Sequence, residues 1–117
     1  MSYYFEVSGE TVWDPALRIA TWYLALAEST AGLMQVPTGL TPSDQDNCAI
    51  DPKVFQGFVE SLYEVYFSTR HPVQHSLIKG LLLTSLVVLE RTGTVISPGS
   101  EKEEPLWEEK QALARSM

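Results

Sequence analysis

The chain of 117 residues contains one cysteine, Cys48, so no disulfide can close within it, and a reducing compartment suits it. Basic side chains are also scarce: 8 Lys and Arg stand against 15 Asp and Glu, for a net charge of −7. Proteins that grip nucleic acid neutralise phosphates with patches of Lys and Arg, and no such patch occurs, so nucleic acid is not an expected partner. Long apolar runs are missing too. The most hydrophobic stretch, "LIKGLLLTSLVVL", has 13 residues and contains Lys79. A membrane span needs about 20 apolar residues, so no membrane association is expected. The opening "MSYYFEVSGE" lacks the basic stretch and apolar run of a signal peptide. The expected setting is cytoplasmic. There is no phosphate-cradling glycine loop, nucleophile elbow or dinucleotide fingerprint.

What is present is enough apolar material for a real core, 44% of the chain, at a length that suits one domain. "YYFEV", "SGE" and "TVW" read as two short strands around a glycine turn. "WDPAL" and "IDPKV" each place Asp before Pro at the start of an apolar-periodic segment. Asp14 and Asp51 can cap free N–H groups, and Pro15 and Pro52 suit a first helical position that needs no N–H. The first helix is expected from Pro15 to Gln35, with Ala16, Ile19, Ala20, Tyr23, Leu26, Ala27 and Met34 facing inward. Pro37 ends it, and a turn-rich loop follows, with a possible short strand at "CAI". A second helix, Pro52 to about Thr69, carries the stripe Phe55, Phe58, Val59, Leu62, Val65 and Tyr66. A third runs from Pro72 to about Thr92, with Gly93 as its C-terminal stop; from Leu81 to Leu89 it is apolar almost all round and should be covered on several sides. The short break between these two makes them antiparallel neighbours.

The predicted fold is mainly α: a compact three-helix bundle with an N-terminal β-hairpin packed on it and a C-terminal acidic tail or short helix. Residues 1–96 form the α-rich domain. Residues 97–117 form an acidic linker and a short helix, loosely held unless Trp107 docks, because isolated helices under about 12–15 residues are marginal in water.

The densest chemistry lies in "STRHPVQH", where Arg70, His71 and His75 surround Pro72. Histidines four apart share a helix face and are the catalytic candidates, with Arg70 to hold an anion. No metal is expected there: a third ligand is missing, and Lys79 one turn on repels a cation. The surroundings of Cys48, with Asp44, Asp46 and Asp51, disfavour a thiolate, so the cysteine reads as structural. The same aspartates fail as a calcium loop, since Ala49 and Phe55 occupy the positions that need Gly and Glu. Glu60 and Glu64 form an exposed acidic pair that suits partner binding. Trp22, Tyr23, Phe55, Phe58 and Tyr66 read as core, whereas Tyr3, Tyr4, Trp13 and Trp107 lie near turns or termini, where a ring can anchor a partner.

The combination "YYFEV…VWDP", "VPTGLTP…D", "F…FV…L…Y…STRHPV…SL…G" and "LERTG" resembles a family of small uncharacterised actinobacterial proteins, of the domain-of-unknown-function kind, over about residues 3–93. The resemblance implies a bacterial cytoplasmic setting and supplies no activity. The expected function is that of a non-enzymatic acidic binding protein without cofactors, immunity- or antitoxin-like, neutralising a basic protein partner. The alternative is a small cofactor-free enzyme (cyclase, isomerase or hydrolase) working through the His and Arg of the helix junction. A homo-oligomer joined by the hairpin edge or the Trp107 tail is a third reading.

Overall fold

The computed structural model of the chain describes residues 1–96 and 103–117. Strands β1 (Tyr4–Val7) and β2 (Glu10–Trp13) pair antiparallel around Ser8 and Gly9, whose φ values of 52° and 84° are those of a type I′ hairpin turn. This hairpin does not lie alone on helices, as the sequence suggested. The turn-rich segment before the second helix forms two more strands, β3 (Leu40–Pro42), which the sequence did not signal, and β4 (Asn47–Ile50), which falls on the short strand expected at "CAI". They pair antiparallel, and β4 joins β1 in parallel, giving the order β2-β1-β4-β3. The aspartate-rich segment between β3 and β4 is therefore a hairpin turn, with Asp46 at φ 57°.

Helix α1 (Leu17–Met34) starts two residues later than expected, and Asp14 does not cap it; Ala16 stands at the cap without a side-chain bond. The reason lies in the N-terminal segment. Tyr3 N–H donates to Pro15 O at 2.8 Å, and Leu17 N–H donates to Met1 O at 2.9 Å. The backbone of residues 14–16 is thereby drawn alongside the first residues instead of entering a helix. Helix α2 (Pro52–Ser68) behaves as expected: the Asp51 carboxylate accepts from Lys53 N–H and Val54 N–H, both at 3.2 Å. Helix α3 (Pro72–Arg91) follows after three residues, and Gly93 stops it at φ 102° with its N–H on Glu90 O. Gly39 is needed for a different reason. Its φ is 77°, and a Cβ there would stand 2.6 Å from the Phe55 backbone nitrogen, so only glycine lets the chain before β3 touch the start of α2.

Phe5, Phe55, Phe58, Val59, Leu62, Leu82, Val88 and Leu89 are buried at the centre. Phe5 stacks on Trp13 at 5.0 Å, and Tyr23 meets both rings edge-on, joining the sheet to α1. The Tyr23 hydroxyl bonds Ser85 Oγ at 2.7 Å, joining α1 to α3. By length and composition α3 is apolar enough to cross a membrane. However, from Leu81 to Leu89 every residue but Thr84 is buried, which identifies a core segment covered on several sides, as its all-round apolarity implied.

A further helix, α4 (Glu104–Ala114), follows among the described residues. Leu106 is buried and Trp107 packs on Tyr63 at 5.7 Å. Lys79 Nζ bonds Glu109 Oε1 at 2.8 Å, Lys110 pairs with Glu90, and the Arg91 guanidinium reaches the carbonyls of Ala114 and Met117. The expected linker falls partly on residues 97–102, outside the described residues. Among the described residues the three-helix bundle is thus corrected to four helices on a four-stranded mixed sheet, α-rich with a β part. Long-range strand pairing and the docked Trp107 are the physical causes.

Candidate functional site

The turn between α2 and α3 brings Arg70, His71 and His75 to one depression of about 300 Å³, with Thr69 and Pro72. Thr69 organises it: its hydroxyl accepts His71 N–H at 3.3 Å and donates to Gln74 Oε1 at 2.9 Å. His75 is half-buried because its ring stacks on Tyr66 at 3.7 Å, tilted by 21°. Arg70 and His71 are exposed. The three groups are neighbours, but the depression opens to solvent and one histidine is engaged in packing. Among the described residues no three His, Cys, Asp or Glu side chains gather as a metal site would require.

Cys48 is buried in β4, and burial pushes its thiol up to about 11, with the Glu28 carboxylate adding to the rise against a backbone hydrogen bond at Thr41. A thiol so held is a packing group rather than a nucleophile. Burial likewise pushes the Tyr23 phenol up, more than its bond to Ser85 lowers it.

The partner-anchoring candidates divide. Trp13 is buried in the aromatic stack, which corrects its reading as a surface ring: its strand lies against α3 and the ring packs on Phe5 and on Tyr23 of α1, not at a free turn. Trp107 is half-buried on Tyr63, so the chain itself occupies much of that ring. Tyr4 remains exposed on β1, and Glu60 and Glu64 are exposed on α2. Trp22, read as core, stands in solvent instead.

Trp22 belongs to a surface that the sequence reading missed. The inward face of α1 is built from Tyr23 and the small residues Ala20, Ala27 and Ala31. The larger apolar residues Ile19, Trp22, Leu26 and Leu33 share an adjacent stripe about 60° wide. They are 53%, 67%, 49% and 87% exposed. Facing them, the N-terminal half of α3 shows Val73 at 59% and Leu77 at 76%. Between these helices and the C-terminal half of α2 runs an open groove of about 740 Å³, walled by Leu26, Leu33, Met34, Val65, Leu77 and Ile78, with Ser61, Ser68, Thr30 and Gln74 as polar points and Glu64 as its one charged wall residue. The available signal was width: apolar residues cover more of α1 than one buried face can use.

Fold and groove together define a small α-rich protein in which a mixed sheet and α3 form the core and α1 keeps an uncovered apolar edge. The chain belongs to a family of unknown function, DUF6086, whose family model matches residues 1–117. The match reaches beyond the 3–93 expected and includes α4. No curated protein and no solved structure matches the chain.

Proposed function

We propose that the protein is a non-catalytic docking module that binds a protein partner through the apolar face of α1 and α3. One observation carries this reading: Leu26, Leu33 and Leu77 stand half to nine-tenths exposed in the walls of one groove, and the exposed Ile19, Trp22 and Val73 extend the apolar surface along the same two helices. Scattered exposed hydrophobics are ordinary, but contiguous ones rimmed by polar groups mark interaction surfaces. The groove's volume of about 740 Å³ and its apolar walls suit one face of an amphipathic helix, with Ser61, Ser68 and Gln74 available for rim hydrogen bonds. The catalytic alternative draws less support, because the depression at Arg70, His71 and His75 shields no reacting group from water. The expectation of a basic partner rests on net charge, which this face does not carry. A cytoplasmic setting goes with the proposal, on the strength of the single buried thiol.

A photo-crosslinking residue tests the proposal. Placed at Ser29, exposed on the same side of α1, it should give covalent adducts in cells that the same residue at Gln111, exposed on α4, does not give. Adducts from Gln111 alone, or adducts from Ser29 that persist when Leu33 is changed to Glu, would move the docking site elsewhere.

A further inference from the structure

We propose that the occupant of the α1–α3 face is a second copy of this chain, paired about a two-fold axis; the proposal rests on the reading of that face as a docking surface. Three observations select this occupant.

The first is area. Ile19, Trp22, Leu26, Leu33, Val73 and Leu77 together expose on the order of 700 Å² of side chain, beside the roughly 800 Å² per partner of a standard stable interface. Polar rim residues supply the remainder.

The second is shape. Positions 19, 22, 26, 29 and 33 follow the alternating three-and-four spacing of a coiled-coil seam, with Ser29 as the one small polar member. Ala25 and Gly32 flank the stripe and leave room for a second helix to come close. The ridge of α1 and the groove beside it lie on the same face. A two-fold axis therefore sets the ridge of each copy into the groove of the other, burying Leu33 twice in one operation.

The third is charge. Within α1 only Arg18 and Glu28 are charged. The exposed start of α3 adds Lys79, already paired with Glu109, and the two histidines. Glu64 in the groove wall is the acid α2 brings to this face, and much of the rest lies on the hairpin turns, at Glu60 and on α4. Two copies with net charge −7 thus meet face to face where little repels them. A basic protein finds only Glu28 and Glu64 as anchors here, and an anionic lipid surface repels the chain as a whole.

Sedimentation equilibrium of the full chain over about 1 to 100 µM measures the association. The expected mass is twice 13.1 kDa. Leu33→Glu and Leu77→Glu place charge on side chains already in solvent, so folding is preserved, which circular dichroism checks. Each should weaken pairing roughly a hundredfold by burying an unpaired carboxylate. Gln111→Glu, exposed on α4, should leave the mass unchanged. A monomer at every concentration overturns the proposal, as does a dimer untouched by both α1 and α3 variants. If the wild type is monomeric and yet crosslinks from Ser29 to a different protein, or cosediments with phosphatidylglycerol vesicles, self-pairing fails. The crosslink keeps the docking reading; cosedimentation without any protein adduct removes it as well.

Discussion

Individual side chains carry the clearest consequences of burial. Cys48 and Tyr23 have no charge in the folded protein, and both are held protonated beyond their ordinary range, chiefly by loss of water. In the unfolded chain the thiol ionises from about pH 9 and the phenol from about pH 10, whereas the fold retains both protons longer. The unfolded state therefore binds fewer protons in this range, and stability declines as pH rises. Urea unfolding should show a flat plateau up to about pH 9 and a loss of about 2 kcal/mol or more by pH 11. Cys48→Ala should flatten the earlier part of the decline, and a thiol reagent should reach Cys48 only on unfolding. Rapid labelling of native protein at pH 8 would contradict the burial argument. Trp13 and Trp22 make the complementary point. Each lies in a plausible helix or turn context, and the two readings came out reversed. What decides them is not local: Trp13 is claimed by Phe5 and Tyr23, while Tyr23 and the alanines form the inward face of α1 and leave Trp22 with nothing to cover it.

At the level of elements, legibility follows the range of the forces involved. The start of α2, the turn at Ser8–Gly9 and the stop at Gly93 depend on a few neighbouring residues, and all three are readable from the sequence alone. The parallel pairing of β1 with β4 is not, since neither strand signals its partner. The junction of Arg70, His71 and His75 was legible as a cluster for the same local reason. The groove was not, because it needs the tertiary arrangement of α1, α2 and α3. Helix α4 is the sharpest case. Its thin apolar face suggested a loose tail, yet Leu106, Trp107, two lysine–glutamate pairs and Arg91 bind it to α2 and α3. Leu106→Ala should accordingly cost about 2–3 kcal/mol, as for a core leucine, and lower the melting temperature by several degrees. A change within about 0.5 kcal/mol would mean that α4 adds nothing to the fold.

Over the whole molecule, the separation of charge from the apolar face gives self-association a salt dependence of definite sign. The body measures 40 × 28 × 25 Å and carries seven net negative charges, held mostly away from α1. Two paired copies bring their acidic surfaces within a few tens of ångströms, a distance at which repulsion survives in dilute buffer. Salt shortens its reach from about 10 Å at 0.1 M to about 3 Å at 1 M. The apolar contact itself is not weakened by salt, and salts excluded from protein surfaces strengthen it. Pairing through α1 and α3 should therefore tighten several-fold between low and high salt. Binding to a basic protein through the acidic residues should loosen over the same range, because there the charges attract. Sedimentation at about 20 mM and about 500 mM sodium chloride separates the two cases, since screening acts in opposite directions on repulsion and attraction. A dimer that falls apart on adding salt would show that charge, not the Ile19–Leu33 stripe, holds the copies together.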